Sequence, residues 1–508
     1  MTLRRSVLLA ALPLALLAGC GKSADAHYAD AGKAFAAEDY RAARAELLEA
    51  LRAAPDDPRL IELQLRTLLR LRDGEGALNL LGRLKRHAPK DPAALARYEA
   101  EAALLVGAPD DALALLRQDG SADAARIRAA AHLDKGEGEE AGAAFRQGLE
   151  AGADPLLIAD YARHALATGD IALAQDLSRR LAAVRPGGLD TLMIAGRLAA
   201  DAGDRTRAMR LFQSAAKAHP ARYEPLLAQA EQHELLDQLP QAARLAEQAE
   251  ALAPDAVAVQ DLQLRLLKVT GQWRKLRETL QGEAGNLQPG SARGLAYAEA
   301  QLNLGQPEQA RVTFARALLL APGNRYVRMM LGQAQTDTGD AAGAWATLRP
   351  LTEGLAVQPF ELEAAEAAAR KAGAPEAASI RARRLSPAYK AQLDLAGKAM
   401  AAVGQSHWDD AAAAYKALLA GGRDAETERQ LAWVLGQAGR YAEAIPVADA
   451  ALGADPANPE LQHLAGWLRL KSGADRAYAA QLLAAAAEGA PSKARFRADA
   501  RTAGAAAD

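Results

Sequence analysis

Small and large apolar residues recur at fixed offsets along most of this chain, and the offsets are those of paired helices. Read back from Pro220, the pattern is Gly196, Gly203, Ala208, Phe212 and Ala215. Read back from Pro322 it is Ala298, Gly305, Ala310, Phe314 and Ala317, and from Pro456 it is Ala432, Gly439, Tyr441, Ala444 and Ala451. Ala31, Tyr40, Ala43, Leu47 and Ala50 precede Pro55, and Ala230, Ala242 and Ala249 precede Pro254. Spacings of three and four place such residues on one face of a helix. Each unit therefore predicts two helices. Gly203, Gly305 and Gly439 sit where the first helix ends and suit a left-handed cap. The proline stops the second helix, because it lacks an N–H and disfavours helix in the residue before it.

The units repeat. Pro55 to Pro89, Pro186 to Pro220 and Pro220 to Pro254 are each 34 residues apart, and Pro254 to Pro322 is twice that. A 34-residue period with this internal pattern resembles the tetratricopeptide repeat (TPR). The resemblance covers most of the chain, with weaker units around Gly107, Gly136, Gly271, Gly339, Gly373, Trp408 and Gly473. It implies an all-α TPR helical-hairpin solenoid, a right-handed superhelix of about 13–14 repeats. Pro109, Pro240, Pro307 and Pro375 fall in or near the first turn of second helices, where they are tolerated. Pro350 and Pro446 fall inside second helices, where local kinks are expected. The rhythm breaks at 352–358 and 385–391. These breaks predict an N-terminal array over 27–384, a C-terminal array over 391–490, a hinge near 385–391, and a tail over 491–508 with a frayed end.

The first nineteen residues carry a different message. Arg4 and Arg5 precede an apolar run from Val7 to Leu17, which reads as a signal peptide, too short for a typical spanning helix. Leu17-Ala18-Gly19-Cys20 resembles a bacterial lipobox. That resemblance implies acylation of Cys20, residues 20–26 as lipidated cysteine and short tether, and a place on the periplasmic face of a bacterial membrane. Gly21 points to the outer membrane by analogy with lipoprotein sorting. Cys20 is the only cysteine, so no intrachain disulfide and no cysteine zinc cluster is expected.

Composition narrows the function. The chain is 50% hydrophobic but 4% aromatic, an alanine- and leucine-rich core suited to close helix packing. Without Arg4 and Arg5 the 61 basic residues become 59 against 63 acidic, a formal charge of −4, which exerts no pull toward nucleic acid. None of the eight histidines forms an i, i+4 pair, and His132 and His233 fall at packing positions. No HExxH, GxSxG or phosphate-cradling loop occurs, and Gly187-Gly188 and Gly421-Gly422 read as turns. No segment outside the repeats is long enough for a catalytic domain. The expectation is a non-enzyme with no catalytic residues, no metal and no cofactor.

Partners remain. In the TPR family the first helices line a concave groove that takes extended peptides. Carried onto this chain, that picks out Arg59, Arg66, Arg70, Arg163 and Arg197, then Glu224, Glu231 and Glu234, then Tyr326, Met329 and Gln333, and finally Trp433 and Trp467. The arginines suit a carboxylate on a partner or form a solvated face. The two tryptophans suit a peptide anchor, a sugar-stacking surface, or packing against the next repeat. Leu431-Ala432-Trp433 and Leu464-Ala465-Gly466-Trp467, with the lipobox, also resemble exosortase-associated TPR lipoproteins. The expected function is a lipid-anchored scaffold binding envelope proteins. An exosortase-linked export factor, a glycan-binding solenoid and an enzyme hidden in the array stand as alternatives.

Overall fold

The computed structural model describes residues 22–86, 91–490 and 494–507. Among these residues every regular element is a helix, twenty-nine α-helices and one short 3-10 turn. The first twenty-eight pair into fourteen antiparallel hairpins, a TPR-like array. The predicted signal segment, Cys20 and Gly21 lie outside the described residues, as does Pro89.

The hairpin turn has one recipe. A residue in the left-handed region ends the first helix, and in most hairpins the next residue is the N-cap of the second. The turn residue is Gly in ten hairpins, among them Gly203 (φ 79°), Gly305 (φ 75°) and Gly439 (φ 72°); Glu38, Arg72, Asp237 and Ser406 take its place in the other four. Several turns follow with Asp: Asp204 Oδ1 accepts from Arg207 N at 2.9 Å, and Asp170 Oδ1 from Leu173 N at 3.0 Å. Each such cap contributes about 1 kcal/mol by satisfying a helix-terminal donor. The second helices stop before proline as expected. Arg185, His219, Ala253, Ala321 and Asp455 all leave the helical region, with ψ between 66° and 78°.

Packing inside a hairpin sets a small residue against a large one. A Cβ on Gly332 would lie 2.5 Å from Leu348 Cγ, and one on Gly466 2.7 Å from Leu483 Cγ. Gly196 is in the same position beneath the ring of Phe212, itself buried. The core is a succession of local clusters, each shared by neighbouring hairpins. One example joins Ala298, Phe314 and Ala317 to Val327 and Leu331 of the next unit.

The chain divides into two compact units. One comprises the residues up to Lys135 with Glu139–Arg222, and the other Gly136–Gly138 with Tyr223 onward. The 385–391 break is a junction at Ser386, which ends the helix Glu376–Leu385 and caps Pro387–Gly404 by accepting from Tyr389 N at 3.1 Å. At 352–358 the chain is non-helical between Thr352 and Pro359, held by Arg383 on the carbonyls of Thr352 and Gly354 and by Tyr389 Oη donating to Val357 O at 2.9 Å.

Pro446 lies inside the second helix Tyr441–Ala454, as expected. Two expectations are corrected. Pro350 does not kink a helix; the helix Ala341–Leu348 ends before it and a 3-10 turn follows over Arg349–Thr352. The tail is a helix, Ala494–Ala507, rather than a frayed end. It is docked in the second unit by Phe496, stacked on His463 at 4.0 Å, and by Asp499, 2.7 Å from His463 Nε2. The first helix also begins earlier than expected, at Ala24, capped by Ser23.

The Gly196–Phe212 fit yields a prediction. Gly196→Ala should destabilise the first unit by about 1–3 kcal/mol, the cost of overpacking a full core, despite the better helix propensity of alanine. A lowered urea midpoint checks it.

Candidate functional site: the first-helix faces

In the first unit the first helices line a chamber of about 680 Å³. Its wall carries a continuous ladder of opposite charges. Arg70 at the end of Pro58–Arg70 faces Glu101 of Pro92–Leu105 at 3.7 Å. Glu101 meets Arg126 of Ala122–Asp134 at 3.0 Å, and Arg126 also meets Asp123 at 2.9 Å and Asp160 at 3.6 Å. Asp160 belongs to Pro155–Thr168, as does Arg163, which pairs with Asp160 and reaches Asp190 of the next first helix at 2.8 Å. Arg126 is buried, and its charge persists there because three carboxylates surround it. Burial works to lower its pKa, but the carboxylates outweigh it and hold the pKa above the ordinary arginine value.

The predicted arginines are thus engaged within the chain. Arg59 binds Asp57 at 2.7 Å and Asp25 at 3.0 Å and lies over the Tyr28 ring; these carboxylates raise its pKa. Arg66 lies over the Phe35 ring at 5.0 Å, and Arg197 pairs with Asp201 at 3.0 Å. Nothing here is a cluster of free cations converging on one point.

The same interlocking continues in the second unit. Arg265 joins Glu234 at 2.9 Å and Glu231 at 3.9 Å. Lys268 lies 4.7 Å from the Tyr326 ring centre, donates to its hydroxyl at 3.1 Å and to Glu299 at 2.7 Å. Tyr326 donates to Glu299; burial first, and then that carboxylate, push its hydroxyl pKa far above the ordinary value. Met329 packs on the cluster around Leu348, and Gln333 donates to Asp337 at 2.8 Å.

The two tryptophans part company. Trp467 is 9% exposed and lies against Gly436 and the core, so it offers no surface to a partner. Trp433 is half-buried, with Trp408 edge-on at 5.5 Å. Sequence reasoning missed Met400, which is 64% exposed. Met400 and Trp433 each lie six residues before a left-handed turn residue, Ser406 and Gly439, and so occupy the same place on neighbouring hairpins.

Sequence reasoning also missed the charge ladder, although a signal existed. Asp25 and Arg59, Arg126 and Asp160, and Glu231 and Arg265 are opposite charges one 34-residue period apart, and each pair meets across neighbouring first helices.

Among the described residues no group of His, Cys, Asp and Glu is arranged to hold a metal ion, and no helix is long and apolar enough to cross a membrane. No protein-family profile matches the chain, and no curated protein matches it. Among matching solved structures is the crystal structure of the APC/C hetero-tetramer Cut9-Hcn1. It covers 95% of this chain and 96% of that one, at 15% identity and a TM-score of 0.36. A likeness that low carries no argument, and the reading of the fold rests on the hairpins themselves.

The ladder predicts that Arg126→Met destabilises the first unit by about 3 kcal/mol. This is the low end for breaking a buried pair, because the three carboxylates keep part of their water. Faster hydrogen exchange in Pro92–Leu105 and Pro155–Thr168 checks it.

Proposed function

We propose that this chain is a non-catalytic scaffold that holds protein partners against its first helices, anchored through acyl groups on Cys20 to the periplasmic face of a bacterial membrane. Gly21 favours the outer membrane. The observation that carries the binding reading is the apolar surface of Met400 and Trp433 at equivalent positions of adjacent hairpins. An indole braced edge-on by Trp408 loses little freedom on binding, which suits an anchor for a partner's apolar side chain. The first unit differs: its first-helix charges are paired with each other, so it has less to offer a lone carboxylate. The setting is an envelope assembly or export complex, with exosortase-linked export as its narrower form.

The helix starting at Ala24 bears on the anchor. Two residues, Gly21 and Lys22, separate Cys20 from the Ser23 cap, and the three Cα–Cα steps reach about 11 Å at full extension. A lipid on Cys20 would hold the first hairpin at the membrane surface. Two or three acyl chains give a stable anchor, whereas one is marginal.

Two experiments test the reading. In a crosslinked pull-down from intact cells, Trp433→Ala should lose a discrete set of envelope proteins while keeping its helix content. Trp467→Ala should instead lower stability by about 3–5 kcal/mol, as for a large side chain removed from a core. Capture of the same set by Trp433→Ala would sink the C-terminal site. If no protein is captured but an envelope polysaccharide quenches Trp433 fluorescence, the glycan reading replaces it. For the anchor, Cys20→Ser should abolish incorporation of labelled fatty acid and release the chain from the membrane fraction. Label retained in that variant would refute lipidation at Cys20.

A further inference from the structure

Repeat arrays are held by contacts between neighbours, and the first unit breaks that rule at one seam. Glu38, in the turn between Ala24–Ala36 and Tyr40–Ala53, pairs with Arg185, 147 residues further along. His219 Nδ1 lies 3.7 Å from the other carboxylate oxygen, and its Nε2 donates to the Gly187 carbonyl at 3.2 Å. Beside them the Arg222 guanidinium lies 5.5 Å from the centre of the Tyr40 ring. One side of the seam is the first hairpin turn; the other is formed by the ends of the second helices Ile171–Val184 and Arg205–Ala218.

Glu38 is held there against local preference. Its φ is 62°, in the left-handed region where ten of the other hairpins use glycine. A side chain with a Cβ costs on the order of 1 kcal/mol in that region. The carboxylate is nevertheless buried, at 6% exposure. Arg72, Asp237 and Ser406 also occupy this turn position, so what sets Glu38 apart is the burial of its charge against a distant arginine. Glu38, Tyr40, Arg185 and Arg222 also line the chamber. The seam is therefore part of the chamber wall, and parting it widens the chamber, which is already open to solvent beside Leu133.

We propose that Glu38 is a latch: the Glu38–Arg185 pair holds the first unit tight around its chamber, and parting it widens the chamber for a partner segment. The identity of the entrant as a protein segment rests on the scaffold reading; the closure does not.

Two measurements test the latch without any ligand, on the full chain carrying Cys20→Ser. Spin labels at Ala37→Cys and Lys217→Cys, both exposed and on opposite sides of the seam, should report one short, narrow distance. Glu38→Gly should lengthen and broaden it while leaving the helix content intact, because glycine is the residue most of the turns already use. Arg185→Gln should do the same, and Glu38→Arg with Arg185→Glu should restore the narrow distance. Separately, a bulky maleimide should react several-fold faster with Leu69→Cys, buried in the chamber wall, when Glu38 is glycine. A narrow distance retained in both single variants would overturn the latch. An opened seam with unchanged maleimide rate would overturn its role as a gate. Neither result bears on the Trp433 pull-down, so the latch and the scaffold reading fail separately.

Discussion

The close approach of the two helices within each hairpin is the constraint on which everything else depends. Gly196 under Phe212, Gly332 under Leu348 and Gly466 under Leu483 let backbones come nearer than a Cβ would allow. The larger side chain of each pair then fills its own hairpin and reaches the next one. With aromatic residues at 4% of the chain, the core is made of such contacts and of alanine, not of large anchors. Dispersion between closely packed atoms is individually small and collectively large, so a narrow gap between helices is what makes an alanine-rich core cohesive.

On that frame the charges do a second job. Apolar contacts between near-identical hairpins say little about which neighbour belongs where. The ladder from Arg70 through Glu101, Arg126 and Asp160 to Arg163 and Asp190 alternates in sign, so a hairpin displaced by one position sets like charge against like. A buried pair adds little net stability, since desolvation offsets most of the attraction. Its effect is to make a misaligned stack costly, because a slipped hairpin would leave Arg126 among the wrong partners. The same pairing leaves the first-helix face of the first unit nearly self-neutral, while Met400 and Trp433 stay apolar and accessible in the second.

Much of the hairpin array was legible in the sequence because its signals are local. A glycine at a left-handed turn, an aspartate after it and a proline past the second helix each act within a few residues, and the 34-residue ruler joined them. What the ruler assigned less well was the partner of each side chain. It placed Arg59, Arg66, Arg70 and Arg163 on the first-helix face without showing that each was already engaged. It placed Trp433 and Trp467 alike, although Gly436 leaves a hollow that Trp467 fills together with Leu468. The tail was misread because no second helix follows it to complete a unit. Yet Phe496 and Asp499 lie 33 and 36 residues after His463, about one period, and the helix takes the place of the next hairpin's first helix. Glu38 was illegible for a different reason: no local or periodic signal joins residues 147 apart.

That long contact also limits how this chain can evolve. Solenoids lengthen and shorten by whole repeats, since each hairpin needs only a neighbour on either side. Between Glu38 and Arg185 this freedom is lost. An inserted or deleted hairpin there would carry the arginine one step past the carboxylate, however well the new unit packed. The seam thus works as a counter, fixing the number of repeats in the span it closes.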